Sequence, residues 1–276
     1  MKGNTIRRNG GSARAAAAVV AAAAVAAGAF VGYEKLRAVW LEQCRIEDLE
    51  SQVSITPGTM VQPDIIAEEF GLRPGANLAL IDFDERRKAI LKKIPNLRAI
   101  SVVRKLPDKV SIATEERKPV ARMGINGRKT PTGKVVDDEG VVFLWQRGTR
   151  LLPVIREASA PGSQPGGRLG GRSRAALELI QTCRESDFQD ISILEVDVSS
   201  PDYLLATLGS DYSRLKIAWE GMDGDRTAAS HRSLVRQLTM LKKAMNSRIG
   251  DKAAVWNATD LSKPGRIYAD TKEPIR

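Results

Sequence analysis

The sequence predicts an α+β fold in three parts. An apolar N-terminal helix crosses a membrane, a small unit of order βααββ follows, and a mostly antiparallel β domain with flanking helices completes the chain. Three observations predict it. The nineteen residues Ala15 to Tyr33 hold eleven alanines and no charge. Between Gln52 and Glu116, short apolar runs switch between period 2 and period 3.6. From Val135 onward, strand-like runs separated by Gly, Pro and Asp turns predominate, with two helical stretches among them.

At a rise of about 1.5 Å per residue, Ala15 to Tyr33 spans roughly 28 Å, close to the hydrocarbon thickness of a bilayer. A soluble helix needs a polar face, and this stretch has none. Two readings stay open. The stretch is a retained span, or it is a signal peptide with Lys2, Arg7, Arg8 and Arg14 as its basic region and Ala27-Gly28-Ala29 as its small-x-small cleavage site. Arg7-Arg8 is followed by Asn-Gly-Gly, where a twin-arginine signal wants a hydrophobic residue. In both readings the basic flank stays cytoplasmic and the remainder is exported. The pair Gly28 and Gly32 matches a helix-packing motif that so many small residues produce by chance.

Next, Glu34 to Leu49 has helical spacing and is expected to continue the helix. Gln52 to Thr56 reads as a strand ended by Pro57-Gly58. Pro63 to Phe70 reads as a helix, with Pro63 in its first turn and Gly71 at its end. Asp84 to Lys93 reads as a second helix capped by Asp82 or Asp84 and stopped by Pro95. Leu97 to Lys105 and Lys109 to Glu115 read as strands around a Pro107-Asp108 turn. Such an order packs two helices on one face of a small sheet.

These residues carry a resemblance. The run IPNLRAISVVRKLPDKVSIATEERKPVAR, Ile94 to Arg122, is similar to the signature of the bacterial cell-division family FtsQ, also called DivIB. In that signature a helix ends in Pro, then come an apolar residue, a strand, an aromatic-Pro-Asp turn, and an alternating strand closing on Glu and Pro-apolar-Ala. Here the positions are Pro95, Leu97, Ile100, Val102, Pro107, Asp108, Val110, Ile112, Glu116, Pro119, Val120 and Ala121. Leu106 stands where the family usually has Trp. GLRPGANLALID fits the family's apolar turn before the second helix, VVDDEGVVF the start of its β-rich domain, and LLPVI the Leu-Pro segment after it. The resemblance implies a cytoplasmic tail over 1–14, a span over 15–33, a juxtamembrane helix over 34–51, a POTRA domain over 52–116, a β-rich domain over 117–269 and a tail over 270–276.

In the C-terminal half, Gly166-x4-Gly171-Arg172-Ser173 lies one residue from a phosphate-binding loop. It lacks the lysine and the preceding buried strand, so Gly166 to Gly171 reads as a linker. Ser173 is expected to cap a helix to about Glu185. Strands are expected at Ile191 to Val198, Tyr203 to Leu208 and Arg214 to Trp219, with the alternation of an antiparallel sheet. Arg226 to Arg248 reads as an amphipathic helix with Leu234, Leu238, Leu241 and Met245 inward and His231 on its solvated side. Val255 to Leu261 and Arg266 to Ala269 read as the last two strands. The resemblance implies that these final strands form an exposed edge where an FtsB/FtsL-like partner adds a strand, and that Lys263, Gly265, Arg266, Ile267 and Tyr268 contact it. Asp260 and Leu261 match the family's Asp-Leu-Arg strand end, and Ser262 replaces its arginine.

Composition narrows the chemistry. The net charge of +10 concentrates in Met1 to Ile46, with seven basic and two acidic residues, and in Arg117 to Arg172, with eleven and four. Neither region interleaves cations with aromatics on one element, as a nucleic-acid surface would. One histidine and two distant cysteines, Cys44 and Cys183, supply no metal spacing and no His-based triad. Glu115 and Glu116 are adjacent on a strand and point to opposite faces, while Asp137 to Gly140 reads as a hairpin turn. The expectation is a non-enzymatic, cofactor-free, single-pass inner-membrane protein of the divisome. Its N-terminus is cytoplasmic, its domains are exported, and it concentrates at the septum. The alternatives are a POTRA-bearing envelope assembly or transport factor and a cleaved periplasmic protein. N-terminal sequencing of the mature protein checks the anchor: an intact N-terminus is expected, and a start at Phe30 means that the span is removed.

Overall fold

The computed structural model describes residues 10–128, 130–145, 148–158, 164–209, 212–224, 226–247, 253–263 and 266–271, with side chains from residue 19 onward. The chain divides into two compact units, Met1–Ile90 with Ile100–Thr114, and Leu91–Ala99 with Glu115–Arg276.

In the first unit, α1 (Gly10–Gln43) is one continuous helix. Val19–Gln43, 25 residues, is long and apolar enough to cross a membrane, and none of it is packed inside the protein. The helix stops earlier than the spacing through Leu49 predicts. A stronger competitor takes over: Cys44 and Ile46, both buried, pair with the Gly75–Leu78 turn through Leu78 N–H to Cys44 O (2.9 Å) and Ile46 N–H to Ala76 O (2.8 Å). Asn77 Nδ2 donates to Leu41 O at 2.6 Å and adds a second bond to a carbonyl of the last helical turn that also accepts from Cys44 N–H at 3.2 Å. A short helix α2 (Leu49–Gln52) follows, so Gln52 ends a helix and the predicted strand shortens to β1 (Val53–Ile55).

Helix α3 (Pro63–Phe70) begins with its proline and ends at Gly71, whose φ of 66° is left-handed. Helix α4 (Phe83–Lys93) is capped by Asp82, whose Oδ1 accepts from the N–H groups of Asp84 and Glu85 at 3.1 and 2.9 Å. Phe70 and Phe83 meet with ring centroids 5.6 Å apart. Strands β2 (Leu97–Lys105) and β3 (Lys109–Glu116) complete a sheet of order β1-β3-β2, in which β1 pairs parallel to β3 with Val53 beside Val110 and Ile55 beside Ile112.

The second unit is built on a nine-stranded sheet. Its elements are β4 (Ala121–Ile125), β5 (Lys134–Val136), β6 (Val142–Leu144), β7 (Val154–Glu157), α5 (Gly171–Thr182), β8 (Ile193–Asp197), β9 (Leu204–Leu208), β10 (Arg214–Ile217), α6 (Ala228–Met245), β11 (Ala253–Ala258) and β12 (Tyr268–Thr271). The strand order is β12-β11-β10-β9-β8-β7-β4-β5-β6. Most neighbours are antiparallel, as the alternation predicts. The pairs β7–β8 and β10–β11 are parallel because α5 and α6 are the crossovers that join them, and β4–β7 is parallel too.

Register sorts the two faces. Met123, Ile155, Val196, Ala206, Leu215 and Trp256 align across six strands, all buried, and Ala269 of β12 continues the row. Leu177, Leu179 and Ile180 of α5 and Leu234, Leu238 and Leu241 of α6 join them in one core. The next row, Arg122, Val154, Glu195, Thr207, Arg214, Val255 and Asp270, faces the other way and carries the polar residues.

Three expectations about helices change. Helix α5 starts two residues before Ser173, at an N-cap of Gly170 that offers no side-chain bond; Ser173 Oγ–H instead donates to Glu157 Oε1 at 2.5 Å. Helix α6 is capped by Thr227, whose Oγ1 accepts from Ser230 N–H at 3.1 Å. His231 is half-buried rather than solvated: its Nδ1 lies 3.3 Å from Glu178 Oε1, and Arg226 Nε reaches the same oxygen at 3.2 Å. Glu178 sits on the buried side of α5, and a buried carboxylate needs such partners, here from α6 and the residues just before it.

The β5–β6 connection holds the other buried charge. Asp137 Oδ1 accepts from Val141 N–H at 2.7 Å and Glu139 N–H at 3.1 Å, while Oδ2 meets Arg117 at 2.5 Å. Glu139 takes Arg117 and Arg98 at 3.1 and 3.0 Å. Asp137→Ala leaves Arg117 with Glu139 as its remaining carboxylate and removes the acceptor of the buried Val141 N–H, so it is expected to cost about 1–3 kcal/mol in urea unfolding. A loss below about 1 kcal/mol, the level of an exposed pair, would show that Arg117 is solvated in the variant.

Candidate functional site

Two margins end the nine-stranded sheet, and they differ. At the β6 margin the Gly-rich segment is stitched on: Gly166 N–H donates to Val142 O at 2.8 Å, Val142 N–H to Gly167 O at 2.9 Å, and Leu169 N–H to Gly140 O at 2.8 Å. Asn96 Nδ2 takes Leu144 O at 2.7 Å. The glycines permit this: Gly166 has φ 89°, and a Cβ there would already touch Pro95 at 3.5 Å. The segment is therefore an edge cover. It is neither a free linker nor a phosphate cradle, since its backbone groups pair with a strand.

At the opposite margin β12 borders only β11 among the described residues. It pairs antiparallel, with Tyr268 beside Asn257, Ala269 beside Trp256 and Asp270 beside Val255. Side chains alternate along it. Ile267 and Ala269 pack against the core, while Arg266, Tyr268 and Asp270 are exposed, Tyr268 at 47%. Of the residues expected at this edge, Lys263, Arg266 and Tyr268 thus present exposed side chains, Ile267 faces the core, and Gly265 lies outside the described residues. Leu261, 46% exposed, is a further apolar group beside them that spacing alone did not single out.

The β11–β12 turn is organised by Asp260. Its Oδ1 accepts from Ser262 Oγ–H at 2.6 Å and Ser262 N–H at 3.1 Å, and Tyr268 O–H reaches Oδ2 at 3.5 Å. Asn257 Oδ1 accepts from Thr259 Oγ1–H at 2.8 Å one step earlier. Ser262 is therefore a turn former, which the composition Asp-Leu-Ser-Lys-Pro-Gly makes readable. Hydrogen bonding from the Ser262 hydroxyl, helped by backbone N–H groups and the Lys263 charge, holds the Asp260 carboxyl below the usual aspartate value of 3.8.

The described residues bring together neither a metal-ligand cluster nor a reactive thiol. No group of three His, Cys, Asp or Glu could hold a metal ion among them. Cys44 and Cys183 are unbridged and buried, and burial pushes the Cys183 thiol up to about 12, far from a nucleophilic thiolate at neutral pH.

Comparison with known proteins finds relatives for parts of the chain. Residues 51–117 match the family model "POTRA domain, FtsQ-type". The chain is 29% identical over 147 residues to the cell division protein FtsQ of Koribacter versatilis (strain Ellin345), covering 52% of this chain and 40% of that protein. It is 28% identical over 200 residues to FtsQ of Streptomyces collinus, covering 70% of each. It is 33% identical over 97 residues to FtsQ of Streptomyces griseus, covering 34% of this chain and 45% of that protein.

The turn makes a pH prediction. Because the folded pKa of Asp260 is depressed, its contribution is fully present above the unfolded aspartate value and is lost as pH falls through the folded one. In Ser262→Ala the carboxyl titration followed by NMR should move up toward 3.8, and β12 amides should lose protection at correspondingly higher pH. Identical titrations in the two proteins would mean that the serine does not hold the turn.

Proposed function

Taking the chain as an FtsQ-type, POTRA-bearing relative of cell division proteins, we propose that it is a non-enzymatic scaffold of the division machinery. One retained span anchors it in the inner membrane, with the N-terminus cytoplasmic and the folded units outside. An FtsB/FtsL-like partner binds by adding a strand along β12, and the complex gathers at the septum.

One observation carries the partner assignment: the sheet is closed by its own backbone at β6 and bordered by nothing further at β12 among the described residues. An unpaired strand margin offers main-chain affinity to any extended segment, and the side chains that alternate along it supply selectivity. Arg266, Tyr268 and Lys263 are the exposed groups that would read the incoming strand. Helix α1 supports the anchor, since its apolar residues Val19, Val20, Val25, Phe30 and Val31 are exposed and find no protein surface to cover them. The basic residues Lys2, Arg7, Arg8 and Arg14 ahead of it support the cytoplasmic N-terminus.

Co-purification from membranes of the native host tests the edge. Tyr268→Ala combined with Arg266→Glu is expected to lower partner recovery about tenfold, the equivalent of about 1.4 kcal/mol. Ile267→Glu is a poorer probe, because it burdens the core and reads the stability of β12 instead. Undiminished recovery with a folded double variant would refute the edge. Normal septation on depletion, with no midcell signal from a fluorescent fusion, would refute the division role.

A further inference from the structure

The uncovered face of the nine-stranded sheet holds a second feature far from β12. Between the Arg150–Pro153 loop, β7, β8, Thr207 and Tyr212 lies a hollow of about 480 Å³. Its rim is apolar: Leu151 is 98% exposed, Tyr212 76% and Leu194 40%. Tyr212 holds φ at 59°, a left-handed conformation that non-glycine residues adopt at a cost, and it carries its ring outward. Within the same hollow stand the cations Arg122, Arg150 and Arg156.

Among the described lining residues the charges do not cancel. Glu195 is the one carboxylate among the described lining residues, and Arg156 Nε already holds it at 2.6 Å. The remaining bonds of Arg156 go to the carbonyls of Ile125 and Arg128. Arg122 is half-buried and donates from Nε to Leu152 O at 3.1 Å. Burial, and then the neighbouring Arg156 charge, push the Arg122 guanidinium below the ordinary arginine value. Two guanidinium charges side by side in a half-dry place are unfavourable for the free protein, and an arriving carboxylate offsets their repulsion.

We propose that this hollow is a second docking surface, which takes an extended acidic segment of a protein partner: a carboxylate set on Arg122 and Arg150, beside an aliphatic side chain packed between Leu151 and Tyr212. The volume suits a few side chains of a peptide. A purely electrostatic site for a polyanion would not present an exposed leucine and tyrosine at its rim. The strand order places β8 four strands from β12, roughly 19 Å at about 4.8 Å per strand, so this surface and the edge are separate and can be occupied together.

The test uses the full chain in nanodiscs of neutral phosphatidylcholine, titrated with a fluorescein-labelled peptide that alternates leucine and glutamate and followed by anisotropy. The glutamate peptide should bind about tenfold more tightly than its glutamine counterpart, and Arg150→Glu and Leu151→Ser should each weaken it about fivefold or more. Both residues are exposed, so the variants keep the fold. Tyr268→Ala should leave this binding unchanged, which separates failure here from failure of the edge assignment. Equal affinity for the glutamine peptide, indifference to both substitutions, or displacement by anionic phosphatidylglycerol vesicles would overturn the proposal.

Discussion

Everything in the larger unit depends on hiding one apolar face of a long sheet. The row from Met123 to Trp256 is buried strand after strand, and α5 and α6 supply the residues that cover it. Its larger aliphatic side chains, Met123, Ile155, Val196 and Leu215, contribute about 1.5–3 kcal/mol each when removed from water. Exposed ion pairs contribute about 0–1 kcal/mol, so they adjust this arrangement and do not create it. The two helices also dictate topology. Each is long enough to carry the chain back to the start of a neighbouring strand, so the pairs they join are parallel in a sheet whose hairpins are antiparallel.

Covering one face leaves the other face and two margins to be managed. The protein treats them unequally. At β6 the glycine-rich segment lies down as an irregular extra strand, and its left-handed glycine lets the backbone come close enough to bond. On the uncovered face, charged residues occupy the row that would otherwise be apolar, yet around Arg122 they leave a local excess of positive charge. Buried carboxylates elsewhere are matched by arginines: Asp137 with Arg117, and Glu178 with Arg226. The contrast between matched and unmatched cations separates structural charge from charge available to a partner.

Much of this was legible in the sequence, and the misses share a cause. Local signals located their elements well: Pro63 and Gly71 bound α3, Asp82 caps α4, and the alternation of Tyr203 to Leu208 marks β9. Long-range pairing was invisible to periodicity. Glu34 to Leu49 keeps helical spacing, but Cys44 and Ile46 leave the helix to pair with residues some thirty positions later, at Ala76 and Leu78. His231 looks solvated on a helical wheel until Glu178 of another helix is placed beside it. The glycine segment reads as a linker because its partner strand lies more than twenty residues upstream. At the edge, the strand and its turn were readable from Asp260 to Tyr268, whereas the inward orientation of Ile267 follows from its pairing register.

The unequal margins have a consequence for stoichiometry. A sheet with two open sides can propagate, since each added strand exposes another and copies can join side to side without limit. With one side covered by its own backbone, this sheet leaves one margin, β12, bordered by nothing further among the described residues. Under the strand addition proposed there, β12 would take a single guest, and two copies meeting through that side would close on each other as a pair. On that proposal the glycine segment would act as a chain terminator that confines growth to discrete complexes rather than fibres.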